Sequence, residues 1–280
     1  MKTQWEKLAE VKFYTEGPAL DGENNLYFST MLGGAILRMD PQGRITEWAR
    51  LRCPNGQRIL QNGHHLVCDT QDRSVVELDP DGRFVGYCVR QKCAGRSFAS
   101  PNDLALDGKG GFYFTDSTRH TGQVFYIDAA GKEKLVADQM DYPNGIVLSP
   151  DESKIYVAES TQNRIVVAPL AKPGVLESPF EVFVHLPRNT LPEDPDRLPY
   201  TANLPDGLAC DSESRIWVAH YGMGALQVIG PDGDLLRTVP TGIPATSNLV
   251  FNPDENTVYV TGGMAEPGPG CVHKIFIDYN

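Results

Sequence analysis

Short apolar runs rich in aromatic and β-branched residues recur along the chain, each preceded by a polar turn. Leu26-Tyr27-Phe28-Ser29, His65-Leu66-Val67-Cys68, Phe112-Tyr113-Phe114-Thr115, Lys154-Ile155-Tyr156-Val157, Arg215-Ile216-Trp217-Val218 and Thr257-Val258-Tyr259-Val260 read as strands. Ahead of each stands a turn that leads into another short apolar strand. These are Glu16-Gly17-Pro18, Pro54-Asn55-Gly56, Pro101-Asn102-Asp103, Pro143-Asn144-Gly145, Pro205-Asp206-Gly207 and Ser247-Asn248-Leu249. A third strand follows and ends in a turn such as Asp40-Pro41-Gln42-Gly43 or Asp79-Pro80-Asp81-Gly82, where Pro and Gly match the dihedrals required. A fourth strand comes next, as in Phe180–Val184.

With Glu16, Asn55, Asn102, Asn144, Asp206 and Asn248 as anchors, successive gaps are 39, 47, 42, 62 and 42 residues. That is the period of a four-stranded propeller blade, about 40–50 residues. The pattern predicts an all-β, six-bladed β-propeller in a single domain spanning 1–280. The last unit stops after its third strand, near Lys274–Ile277, and the N-terminal stretch Leu8–Phe13 is expected to supply the fourth. Sharing one blade between the two ends closes the ring and removes two open edges. The long gap carries a Pro- and charge-rich insertion, about 188–202, expected as a loop at one face that lids the pocket.

Composition narrows the partners. The 280 residues include 27 Gly and 21 Pro and carry a net charge of −11, which argues against nucleic acid or an anionic membrane. The N-terminus lacks the apolar core of a signal peptide, which points to the cytoplasm. The six cysteines form no C-x-x-C pair and are expected reduced, without a role. A monomer or small homo-oligomer acting on a small molecule is expected.

In a propeller the first strand of each blade lines the central channel, so the six anchors should meet at one mouth. All six offer oxygen, and Glu16 and Asp206 bring charge. Carboxylates gathered in a channel repel one another and lose hydration, and a divalent cation relieves both costs. Oxygen-only ligation favours Ca²⁺ or Mg²⁺, with Mn²⁺ and Zn²⁺ as further options. Asn, Asp and Gly also simply make turns, but Glu16 is no turn residue. Asp69, Asp116 and Glu159 end second strands and are expected to hold turns by side-chain hydrogen bonds. His64 and His65 are expected to be structural or solvated. There is no G-x-S-x-G elbow and no Gly-rich phosphate loop.

The ordered set Glu16-Gly17-Pro18, Ser100-Pro101-Asn102-Asp103-Leu104, Pro143-Asn144-Gly145-Ile146 and Pro205-Asp206-Gly207-Leu208 resembles the senescence marker protein/gluconolactonase family over nearly the whole chain. The resemblance implies a propeller with one catalytic divalent ion, calcium first, that hydrolyses lactones of sugars in carbohydrate metabolism. It implies Glu16, Asn144 and Asp206 as ligands, and Asn102 as ligand or substrate contact. Asp206 is the expected general base or water-orienting residue, or else a ligand alone. Animal-type members carry arginine where this chain has Ser100, which leaves the identity of the lactone open. His120 and Tyr221 are further candidates for substrate contact, and His220 for facing the pocket. The alternatives are an organophosphorus or other ester hydrolase, and a ligand-binding propeller that keeps its ion for structure.

Overall fold

The computed structural model describes residues 5–190 and 201–277. Nearly every element is a strand, and the strands form six antiparallel sheets arranged as the blades of a six-bladed β-propeller. Blade 1 runs through Glu16–Leu20, Leu26–Ser29, Ala35–Met39 and Ile45–Arg50. Blade 2 is Pro54–Ile59, His65–Asp69, Ser74–Leu78 and Phe84–Arg90. Blade 3 is Pro101–Leu106, Phe112–Asp116, Gly122–Ile127 and Glu133–Met140. Blade 4 is Pro143–Leu148, Lys154–Glu159, Arg164–Lys172 and Glu181–His185. Blade 5 is Leu204–Cys210, Ile216–Tyr221, Ala225–Ile229 and Leu235–Pro240.

Blade 6 joins the two ends of the chain. Ala245–Phe251, Thr257–Gly263 and Gly270–Phe276 are completed by Trp5–Val11, antiparallel to the last of them. The closing strand starts three residues earlier than the sequence pattern indicated and stops at Val11. Trp5 stacks on His273 with ring centroids 4.5 Å apart, and His273 Nδ1 is 2.8 Å from the Thr241 carbonyl oxygen. Thr15 donates to the Cys271 carbonyl at 2.7 Å and accepts from the Gly262 amide, while Ser247 donates to the Thr15 carbonyl. These bonds fasten blade 6 to blade 1.

The longer gaps have a structural cause. After blade 2 the chain adds a small hairpin, Lys92–Cys93 with Arg96–Ser97. In blade 4 the third strand runs on past the blade and turns back through Val175–Leu176. Polar insertion therefore accounts for only part of the 62-residue gap. Most of the predicted lid, 191–200, lies outside the described residues.

The core lies between neighbouring blades rather than at one centre. Phe98, Phe112, Phe114 and Phe125 pack with Leu66, Val75 and Leu104 between blades 2 and 3. Trp217, Leu226 and Val228 pack with Leu249, Val258 and Ile275 between blades 5 and 6. Each sheet thus buries both faces, which explains why its middle strands are apolar without clean alternation. Among the described residues no helix is long and apolar enough to cross a membrane.

His65 shows the cost of a polar group in this packing. It is buried between Tyr27 and Trp48, with Nδ1 2.9 Å from Gln57 Oε1. Burial pushes its pKa down to about 4. The unfolded chain binds a proton near the usual value of about 6.5, so the unfolded state holds more protons between those limits. Stability is therefore complete above about pH 6.5 and falls as pH drops towards 4, by about 3 kcal/mol from this residue. Urea midpoints between pH 7 and pH 4 should fall steeply in the native protein and less steeply in His65→Gln. Separately, deletion of residues 1–11 leaves Gly270–Phe276 as an open edge; by size-exclusion chromatography and calorimetry it should lose the monodisperse, cooperatively melting state.

Candidate active site

Each blade bears the same irregularity on its innermost strand. In blade 4 Pro143 pairs with Glu159, but Ile146 pairs with Val157, so three steps on one strand meet two on its neighbour. Pro54/Gln57, Pro101/Leu104, Pro205/Leu208 and Glu16/Ala19 repeat that offset, and so do Thr246 and Leu249, which pair with Gly262 and Val260. A bulge inserts one residue and re-aims the side chains beside it. The extra residue falls at the anchors, and Glu16, Asn55, Asn102, Asn144 and Asp206 all line one cavity of about 360 Å³.

Small residues permit this convergence. A Cβ on Gly145 would collide with the Asp206 carbonyl, and one on Gly207 would collide with the Asn248 side chain. In blade 3 the equivalent place is taken by Asp103, whose fully buried carboxylate lies 3.3 Å from Arg58 Nη1. Arg58 in turn lines the opposite mouth of the channel with Leu208, Val250 and Phe251. The two mouths therefore differ: one gathers anchor oxygens, and the other is mainly apolar, with the Arg58 guanidinium and the Glu255 carboxylate in its wall.

The second strands hold the anchors in place. Asp69 accepts from the amides of Arg52 and Cys53, Asp116 from Ala99 and Ser100, and Glu159 from Asp141. Each carboxylate thus ties down the loop entering its own blade, as expected for residues that hold turns. The hydroxyl that follows links to the next blade. Thr70 donates to the Pro101 carbonyl at 2.9 Å, Ser117 to Pro143 at 2.6 Å and Ser160 to Pro205 at 2.6 Å.

Electrostatics in the cavity are unfavourable for the bare protein. Glu16 is buried, and loss of hydration together with the Asp103 charge raises its pKa well above the carboxylate range. Asp206 is raised in the same direction by lost hydration, then by Glu16, Glu266 and Asp103. Glu16 Oε2 accepts from the Gly17 amide and from Asn248 Nδ2 at 3.1 Å. The Asn144 side-chain oxygen is buried without a partner, while its Nδ2 donates to Ser160 Oγ at 3.1 Å. Two carboxylates and an orphaned amide oxygen make a set of acceptors that one divalent cation would satisfy. Amides replace further acids here, so among the described residues no three His, Cys, Asp or Glu gather as a metal cluster. The chemistry of the donor set fits a hard ion.

The predicted residues divide in space. Glu16, Asn102, Asn144, Asp206 and Tyr221 line the cavity. Ser100 and His120 are not among its lining residues. The Ser100 amide is bound to Asp116, and His120 is exposed with Nδ1 3.5 Å from Asp141. Asn248 supports Glu16 instead of lining the cavity. His220 is fully buried, with Nδ1 3.3 Å from Gln227. The wall also contains residues that the sequence pattern did not mark: Tyr14, Tyr142, Arg119 and Glu266. They come from loops between blades and strands, where no repeat signals them. Tyr14 and Tyr221 lie ring to ring at 6.3 Å, and Arg119 Nε donates to Asp141 at 2.8 Å.

A family model described as SMP-30/gluconolactonase/LRE-like region matches residues 14–263. A lactonase named drp35 from Staphylococcus saprophyticus is 28% identical, over 88% of this chain and 80% of its own length. A gluconolactonase from Zymomonas mobilis is 29% identical over 74% of this chain and 60% of its own. Among solved structures, a gluconolactonase from Xanthomonas campestris superposes with TM-score 0.82 at 23% identity, covering 99% of this chain and 90% of that one. The calcium-binding protein regucalcin from Agrobacterium tumefaciens gives 0.77 at 18% identity, covering 99% and 96%. These two likenesses bear on the fold.

Replacing Ser160 should disturb both blade and site. Ser160→Ala leaves the Pro205 carbonyl and the Asn144 amide without their partner, at a cost of about 1–3 kcal/mol. Chemical denaturation should show that loss, and Ser117→Ala should show a similar loss from the latch it shares in kind.

Proposed function

The chain belongs to the SMP-30/gluconolactonase/LRE-like family, and on that premise we propose that it is a lactonase that opens the ring of a sugar lactone with the help of one divalent ion. The observation that carries this reading is the set of acceptors round one cavity: Glu16, Asp206 and the unpartnered oxygen of Asn144. The relatives named as lactonase and gluconolactonase supply the reaction class. The name of the calcium-binding structural relative supports calcium as the first ion to try.

Glu16, Asn144 and Asp206 would hold the ion, with Asn102 as a further ligand or a contact to substrate. When bound, such an ion acts as a Lewis acid that polarises the lactone carbonyl. Asp206 lies in the cavity wall, where it can orient a water towards that carbonyl and accept its proton. Water adds to the carbonyl carbon, the bond to the ring oxygen breaks, and that oxygen takes a proton as the hydroxyl of the product. The acid formed loses its proton near neutral pH, so turnover releases acid. Asn102 and Asn144 exchange no protons in this scheme and serve by position alone. The tyrosine rings of Tyr14, Tyr142 and Tyr221 offer flat faces and hydroxyls suited to a small polyhydroxylated ring.

Proton release on a panel of five- and six-membered sugar lactones tests the reading, with metal-stripped protein and with Ca²⁺, Mg²⁺, Mn²⁺ or Zn²⁺ added. Ion-restored turnover is expected. Asp206→Asn should fold yet lose about 10²–10⁴-fold in kcat, and Glu16→Gln should bind the ion about tenfold or more weakly. Full activity in both variants would remove these residues from the site. Ion binding without turnover on any lactone would shift the reaction to another ester.

A further inference from the structure

Asn55 is the anchor of blade 2, and the resemblance that assigns roles to other anchors gives it none. Its side chain is 3% exposed, it lines the same cavity as Glu16, Asn144 and Asp206, and its Oδ1 has no hydrogen-bond partner. A buried acceptor without a partner costs about 1–3 kcal/mol, so such an atom calls for an explanation.

The way Asn55 is held supplies one. Its Nδ2 lies 3.5 Å from Thr70 Oγ1, a long bond, and the Thr70 hydroxyl proton is committed to the Pro101 carbonyl at 2.9 Å. Thr70 can therefore only accept from Asn55, and this places the amide nitrogen against Thr70 and leaves the oxygen free. Asn144 is held by the same device. Ser160 gives its proton to the Pro205 carbonyl and accepts from Asn144 Nδ2, again leaving the oxygen free. In blade 3 Ser117 makes the corresponding bond to Pro143, but the Asn102 amide is not bonded to it. Two asparagines, in blades 2 and 4, are thus locked with bare oxygens in one cavity that is also lined by the carboxylates Glu16, Asp206 and Glu266.

We propose that Asn55 Oδ1 is a further oxygen ligand of the divalent ion, set in place by Thr70 as Asn144 is by Ser160. This rests on the reading that an ion occupies the cavity. An amide oxygen accepts and never donates, so what satisfies it is a cation or a hydrogen-bond donor. Glu16, Asp206 and the Asn144 oxygen in the same cavity are acceptors as well, and a cation answers all of them at once.

The test is calorimetric titration of metal-stripped full-length protein with Ca²⁺, without substrate. Asn55→Leu, though bulkier, keeps the branched outline but has no oxygen, and should raise Kd by about tenfold or more. Its melting temperature in excess chelator should stay close to that of the native protein. Asn55→Asp restores an oxygen and should bind at least as tightly as the native protein. Thr70→Val frees the amide to turn and should weaken binding by less than Asn55→Leu; it carries the test should Asn55→Leu not fold. An unchanged Kd in Asn55→Leu overturns the assignment, and a raised KM beside that unchanged Kd gives the oxygen to the substrate instead. Absence of Ca²⁺, Mg²⁺ and Mn²⁺ binding in the native protein overturns the ion reading itself, which separates the two failures.

Discussion

Crowding of six backbones around one axis governs this molecule. The innermost strands approach so closely that a side chain at Gly145 or Gly207 would strike the neighbouring blade. A regular pleat would alternate side chains to the two faces of each sheet. The bulge on each innermost strand breaks that alternation beside the anchors, and six separate turns then share one small volume. The site is a consequence of how the ring closes.

Hydroxyl-to-carbonyl bonds make the crowding specific. Thr70, Ser117 and Ser160 each satisfy a carbonyl of the following blade that water cannot reach. Thr70 and Ser160 also orient an asparagine of their own blade. The same atoms therefore join blades and orient the asparagines of the cavity wall. Stability and site geometry are coupled through them, so a substitution there acts on both.

Charge is distributed with a direction along the channel. Glu16 and Asp206 face one mouth, Asp103 sits deeper, and Arg58 closes the approach from the other side. The guanidinium pairs with Asp103, and among the described residues neither Glu16 nor Asp206 makes an ion pair. A site that repels its own carboxylates is strained while empty of positive charge, and this favours binding of an ion over a purely structural arrangement of turns.

The sequence determined the blades because each repeat announces itself locally. A short polar turn, an aromatic strand and a Gly-ended turn recur at the spacing of a four-stranded propeller blade, and the strand pattern of the two ends completes one unit. Asn102, Asn144 and Asp206 were legible for the same reason, as oxygen-bearing residues at equivalent positions, and Glu16 as a charged residue one place ahead of them in register. Tertiary structure decided which anchors face the cavity. Asn248 props Glu16 because the register puts it one place past the anchors, level with Gly145 and Gly207. Ser100 lies two residues before Asn102 but does not line the cavity, and its backbone amide is held by Asp116. Tyr14, Tyr142, Arg119 and Glu266 reach the wall from loops, and loop positions are set by what they pack against rather than by a period. The repeat fixes the frame through local backbone preference, and the loops acquire their place once the frame has closed.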